Sequence, residues 1–210
     1  MSAKKKDDMT DTELDDRHAE KMAKKKAARD KIIAGKTIEK GLLIVHTGKG
    51  KGKSTAAMGL AVRAIGNGMK VGIVQFVKGV WETGERVVLD KFPELCEIRA
   101  MGEGFSWETQ DRQRDIAAAE NAWQMSKDMI FDESFDMVIL DELNIPLRYD
   151  NLDINDVVKT LSEKPEMTHV VVTGRNAKEE LLEAADLVTE MTMVKHPFRA
   201  GVKAQVGVEF

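Results

Sequence analysis

Residues 41–55 read GLLIVHTGKGKGKST, and this stretch decides how the rest of the 210-residue chain is read. The apolar run 42–45 predicts a buried strand. It passes directly into Gly48, Gly50 and Gly52 alternating with Lys49, Lys51 and Lys53, followed by Ser54 and Thr55. Glycines allow consecutive backbone N–H groups to face one anion, and a helix starting near Ser54 adds the positive end of its dipole. Lys53 supplies a side-chain cation, and the Ser54 hydroxyl can reach a magnesium ion that bridges the phosphates. The stretch therefore predicts a P-loop, a cradle for phosphate. The competing reading, a lysine-rich solvated hairpin, leaves the order of strand, loop and helix unaccounted for.

The loop departs from the standard spacing, in which four residues separate the first glycine from the Gly-Lys pair. Counting back from Gly52 places Thr47 at the first position, whereas starting from Gly48 leaves only three residues between. The loop is either one residue short or opened by a threonine, so phosphates are expected to sit differently from those in ordinary ATPases.

The length suits one domain plus an arm, with enough chain to bury a substantial core. A net charge of -4 argues against a dedicated nucleic-acid binder. Cys96 is the single cysteine, which excludes an intrachain disulfide and a cysteine metal cluster and fits a reducing, cytoplasmic setting. Its simplest reading is a small buried hydrophobe. No stretch reaches the roughly 18 uninterrupted apolar residues of a membrane span, and the first residues lack the apolar core of a signal peptide.

Residues 1–36 are dense in charge of both signs and poor in apolar anchors, so they read as a charged arm, with residues 37–210 as the P-loop domain. Asp11 or Thr12 is expected to cap a helix through Ala28. A helix polar on all sides has little to dock with, and a solvated arm and a lid over the active site are both consistent with it.

Beyond the loop, 55–65 has helical apolar spacing and ends at Gly66-Asn67-Gly68, and 71–77 (VGIVQFV) reads as a second buried strand. Trp81 follows it, as substrate wall or as core. A short helix over 85–92 and a strand over 97–101 precede the glycine-flanked loop 102–111 (GEGFSWETQD), which carries Phe105 and Trp107. Those aromatics either anchor the loop or cover a large apolar ligand. A long helix over 109–129, capped by Thr109, places Ile116, Ala119, Trp123 and Ile130 on one side.

The run 135–140 (FDMVIL) enters Asp141-Glu142, an apolar strand ending in acids that can deliver carboxylate to a magnesium ion beside a P-loop. Asp153 or Asn155 opens a helix through Lys164. The strand 169–173 ends in Gly174-Arg175-Asn176, which puts Arg175 on the same sheet edge as the P-loop, able to reach a phosphate or to form a surface ion pair. A helix over 177–185 and a strand over 187–194 complete the pattern. Strands alternating with helices predict an α/β fold, a three-layer domain with a mostly parallel central sheet.

The blocks GKGKGKST, VQFVKG, GFSWETQD, VILDELN, VTGR and HPFRAGVKAQVGVEF occur in the order in which they stand in the corrinoid (cobalamin) adenosyltransferases of the CobA/CobO/BtuR type, and the chain resembles that family from about residue 41 onward. The short loop is a feature of the family too. The resemblance implies that ATP and a cob(I)alamin or other corrinoid give the adenosylated corrinoid and inorganic triphosphate, the nucleotide lying reversed so that its ribose 5′ carbon faces cobalt. It implies that Gly48, Lys49, Gly50, Lys51, Gly52, Lys53 and Ser54 hold the triphosphate; Thr55, next in the loop, and Arg175, on the same sheet edge, join them as candidate ATP-binding residues by position. Ser54, Glu142 and Asp141 would stand near magnesium, with manganese as the alternative ion. Phe105 and Trp107 match the family's aromatic pair shielding the lower face of the corrin ring. A homodimer and an electron-donating flavoprotein are further implied, with neither nucleic acid nor membrane as partner; the variable arm 1–36 inherits little.

The chemistry has its own logic. Cobalt(I) is a strong nucleophile and needs no activating base, and the chain offers no convincing nucleophile triad. Two other readings compete: an ordinary P-loop NTPase or kinase, which would yield ADP, and a corrinoid carrier or sensor, which would leave ATP unchanged.

Overall fold

The computed structural model describes residues 10–77, 83–101 and 111–208, which divide into a unit ending at Glu39 and a unit beginning at Lys40. The first unit holds one helix, α1 (Asp11–Ala34), capped by Thr10 in a reciprocal arrangement with Glu13. Thr10 takes the cap expected of Asp11 or Thr12 because its hydroxyl stands three residues before a glutamate that can return the hydrogen bond. The helix also runs six residues past Ala28, and no residue of it is buried, as its all-round polarity predicts.

In the second unit the elements alternate: β1 (Leu43–Thr47), α2 (Lys53–Ile65), β2 (Val71–Gln75), α3 (Gly84–Leu89), β3 (Cys96–Ala100), α4 (Arg112–Phe131), β4 (Met137–Asp141), α5 (Asn144–Arg148), α6 (Ile154–Ser162), β5 (His169–Thr173), α7 (Glu179–Ala184) and β6 (Leu187–Glu190). Among the described residues the strands form one sheet in the order β3-β2-β4-β5-β1-β6, parallel at every pairing. All strands therefore end on one edge, where the loops that follow them gather.

Successive strand residues face opposite layers, and both layers are apolar. Ile44, Ile73, Ile139 and Val171 pack with Ala57, Ala61 and Ile65 of α2 and with Leu89 of α3. Val45, Val74, Leu140 and Val172 pack on the other face with Ala122 and Trp123 of α4, Leu147 of α5, Val157 and Leu161 of α6 and Leu181 of α7. Trp123 is core on α4 and donates its indole N–H to Asp156 at 2.7 Å. Cys96 is buried, and burial pushes its thiol up to about 11, an inert hydrophobe.

Several boundaries differ from expectation. α4 starts at Arg112 with Asp111 as its cap, accepting from the amides of Gln113 and Arg114; Thr109 lies outside the described residues, as do Trp81, Phe105 and Trp107. β6 ends at Glu190 rather than Val194, and all four of its residues are exposed. It is an edge strand, and beyond Glu190 the chain turns to back the P-loop instead of continuing the ladder. The one-turn helix α5 comes from DELNIPLR, too short a run to show a helical period.

Candidate functional site

The loop after β1 is held from behind. Met191 donates its amide to the Thr47 carbonyl at 2.9 Å, and its carbonyl accepts the Gly50 amide at 2.6 Å. A Cβ on Gly48 would stand 2.4 Å from the Met191 oxygen, and one on Gly50 would stand 2.7 Å from both the Met191 and Thr192 oxygens. Gly48 also has φ 96°, and Gly52, which precedes α2, has φ 104°. The glycines thus serve two needs. Gly48 and Gly50 admit residues 191–192, and the Gly50 amide is bonded to Met191 rather than turned towards an anion. Gly52 turns the chain into α2, whose N-terminus has no side-chain cap and presents backbone donors and a positive dipole end.

Thr47, the residue at the displaced first-glycine position, is buried, and its Oγ1 accepts the Ala177 amide at 3.1 Å. It ties the P-loop strand to the turn after β5. A hydroxyl is useful here, and the strand conformation of Thr47 needs no glycine.

Lys53 is 6% exposed, and its Nζ donates to the Gly50 carbonyl at 2.6 Å. Burial pushes its pKa down; the Glu142 carboxylate opposes that shift, while Arg175 and Lys51 reinforce it. These groups on three different loops therefore share one electrostatic neighbourhood. Lys49, Lys51 and Thr55 are exposed, Ser54 is half-buried in the first turn of α2, and Arg175 is exposed on its turn.

The two acids after β4 have separate surroundings. Asp141 is 1% exposed; it accepts the Thr173 hydroxyl at 2.8 Å and the Gln75 amide at 3.4 Å. Glu142 is half-buried, has φ 64°, and donates its backbone amide to Thr173 Oγ1 at 2.9 Å. Asp141 is built into the sheet, and the left-handed turn carries the Glu142 carboxylate to the side of Gly174.

Register explains the arrangement. Gln75 pairs with Asp141, and His46 with Thr173, so the last residues of β2, β4 and β5 and the penultimate residue of β1 lie in one polar row on the α2 face. Among the described residues both buried nitrogens of His46 lack a hydrogen-bond partner, and burial holds its pKa down. Thr173, Gln75 and Asn144 carry the site's internal wiring, and none stands out in the sequence. Alternation along VVVT would have placed Thr173 on the layer of Asp141, but not its bond to it.

Among the described residues no group of three or more His, Cys, Asp or Glu side chains is placed to hold a metal ion. The donors at this edge are nonetheless hard oxygens, the Ser54 hydroxyl and the Glu142 carboxylate. They fit a small divalent ion whose remaining ligands are phosphate oxygens and water, the usual habit of magnesium.

A three-layer parallel α/β unit with a glycine-lysine loop between β1 and α2, and an acid at the end of β4, defines a P-loop nucleotide-binding protein. The family can be stated as well. The sequence model described as ATP:corrinoid adenosyltransferase BtuR/CobO/CobP matches residues 39–210, and one described as cob(I)alamin adenosyltransferase N terminal matches residues 7–33. A corrinoid adenosyltransferase of Sinorhizobium sp is 63% identical over 198 residues, 93% of this chain and 92% of the relative. Those of Pseudomonas aeruginosa and Escherichia coli K12 are 54% and 46% identical, with 94% and 93% of this chain and 98% and 99% of the relatives covered. The chain belongs to the BtuR/CobO/CobP family of ATP:corrinoid adenosyltransferases. The separate match of residues 7–33 corrects the expectation that the arm inherits little.

Proposed function

We propose that this protein transfers the 5′-deoxyadenosyl group of ATP to the cobalt(I) of a corrinoid, releasing inorganic triphosphate. The observation that carries this reading is the family match over residues 39–210 together with a P-loop whose lysine, acid and arginine converge on one sheet edge. The cobalt electron pair forms the Co–C bond, the 5′ C–O bond breaks with its electrons going to triphosphate, and cobalt passes formally from +1 to +3. No proton transfer is needed at the reacting carbon, so the step calls for no paired nucleophile and base.

The chain supplies alignment and charge. Lys53 lies where it can leave the Gly50 carbonyl for a triphosphate oxygen, exchanging a neutral partner for an anionic one. The open N-terminus of α2 supports the same anion, and Lys49, Lys51, Ser54, Thr55 and Arg175 line its approach. Holding the ribose carbon in line with cobalt is worth several kcal/mol by positioning alone, about 7–11 in well-oriented systems. Of the two acids, Glu142 is the one we assign to the metal, with Ser54, because Asp141 already serves Thr173 and Gln75. When bound, magnesium would offset negative charge on the triphosphate.

Phe105 and Trp107, outside the described residues, are assigned to the lower corrin face on the strength of the GFSWETQD motif. Excluding a lower axial ligand makes cobalt(II) easier to reduce. The arm at 1–36 is assigned to the transferase itself rather than to an unrelated extension, for which the family match at 7–33 is the support. A homodimer would cover apolar surface that is exposed in the single chain, Leu187 and Val188 on β6 and Phe198, Val206 and Val208 beyond it. The reaction is assigned to the cytoplasm, with a flavoprotein as electron donor; no helix among the described residues is long and apolar enough to cross a membrane. Product analysis tests the reading: intact triphosphate in step with alkylcobalt formation supports it, and ADP and phosphate would return the protein to the ordinary NTPases.

A further inference from the structure

Asn144 opens α5, two residues beyond Glu142, and its side chain is fully buried. Nδ2 donates to the Gly174 carbonyl at 2.9 Å, which joins the turn after β4 to the turn after β5. Gly174 has φ 132°, and a Cβ built on it would stand 2.7 Å from Asn144 Cβ and 3.3 Å from Glu142 Oε2. Asn144 and the Glu142 carboxylate thus occupy the space that a side chain at position 174 would need. The residue after Gly174 is Arg175, and Glu142 and Arg175 are the two groups outside the P-loop that act on Lys53. Asn144 Oδ1, by contrast, is buried without a hydrogen-bond partner among the described residues. A residue present only to fill this space would do so better without a polar atom left unpaired, so the donor half of the amide is what the position uses.

We infer that Asn144 is a positioning residue for triphosphate and its metal: by stitching the 142 turn to the 174 turn, it fixes the Glu142 carboxylate relative to the Arg175 guanidinium. Thr173 accepts the backbone amide of Glu142, and Asn144 donates to the next residue, Gly174, so two bonds join the turns. Neither Lys53 nor the P-loop backbone is hydrogen-bonded to Asn144 itself. The inference deepens the proposed function and rests on that reading of the site.

The test is calorimetric binding of inorganic triphosphate to the full chain, with magnesium and with chelator, for wild type, Asn144→Ala, Glu142→Ala and the double variant. Asn144→Ala is expected to weaken binding about tenfold with magnesium and much less with chelator, the scale of one lost alignment. In the Glu142→Ala background the same change should cost less than about threefold, because residues acting as a unit are not additive. Equal losses in both backgrounds, equal losses with and without magnesium, or no loss at all would overturn the inference while leaving the P-loop reading intact. Failure of wild type to bind magnesium triphosphate would remove both. Asn144→Asp is the second variant: it keeps the shape, loses the donor, and should show the same magnesium-dependent loss in a chain whose melting is measured alongside. Wild-type binding by a folded Asp variant, or loss of the fold in both variants, would make Asn144 structural and end the proposal.

Discussion

Thr173 donates its hydroxyl to Asp141 at 2.8 Å and accepts the amide of the next residue, Glu142, at 2.9 Å, so one side chain of β5 gives two adjacent acids different surroundings. β5 lies between the P-loop strand and the acid-bearing strand, which is why it can do this. Thr173→Val keeps the shape and removes both bonds. Leaving a buried carboxylate oxygen and a backbone amide short of partners should cost about 1–3 kcal/mol, or roughly 2–4 °C of melting temperature per kcal/mol. By contrast, Glu142→Gln should leave melting within about 0.5 kcal/mol of wild type while raising the magnesium concentration needed for half-maximal activity. Thermal melts and magnesium titrations of the two variants should separate in this way; matching profiles would contradict the division of roles.

Lys53→Ala should lower turnover about 10²- to 10³-fold, the usual loss when one preorganised donor to a developing anion is removed. The fold should not suffer, because the substitution removes a buried cation whose partner is a single carbonyl. Steady-state kinetics at saturating ATP, beside a melt, checks both halves. Near wild-type turnover would detach the P-loop from the reaction.

The extent to which this was legible in the sequence follows from what kind of interaction each feature needs. The P-loop, the acid pair and the parallel sheet are local: each is a run of residues whose period or spacing carries the physics. Asn144, Gln75 and the bracing of Gly50 by Met191 are contacts between residues 30, 66 and 141 positions apart. No local pattern encodes such pairs, and the sheet order that creates them is not written in any one segment. Glycine spacing read as phosphate chemistry proved to be partly packing, because residues 191–192 pass so close behind the loop.

Stability should depend on pH through two histidines. Burial lowers the pKa of His46, and burial and then Lys164 lower that of His169, whose Nδ1 must stay unprotonated to accept the Leu42 amide at 3.1 Å. A folded pKa below the unfolded value of about 6.5 means that the unfolded chain binds more protons in this range, so the contribution is complete above about pH 6.5 and is lost as pH falls below it. Denaturant melts should show stability declining from pH 7 to pH 5.5. His46→Phe, which removes two unpartnered buried nitrogens, should flatten that decline and raise stability by about 1 kcal/mol at neutral pH. An unchanged slope would place the acid sensitivity elsewhere.

For Phe105 and Trp107, replacement of both by Ala should impair adenosylation most when cob(II)alamin and a mild reductant are supplied. The defect should shrink when cob(I)alamin is provided already reduced, since the assisted step has been bypassed. If the pair were instead core, the double variant would lose about 3–5 kcal/mol per ring and both activities together. The spectrum of bound cob(II)alamin with ATP distinguishes the cases: wild type should show a four-coordinate signal that a folded double variant lacks.

The central claim is that the P-loop serves adenosyl transfer rather than phosphoryl transfer. Its most direct test is anaerobic incubation of the protein with ATP, magnesium and chemically reduced cobalamin, followed by optical spectroscopy and nucleotide analysis. The account predicts a light-sensitive alkylcobalt spectrum growing in step with intact inorganic triphosphate; ADP and orthophosphate with an unalkylated corrinoid, or no consumption of ATP at all, would contradict it.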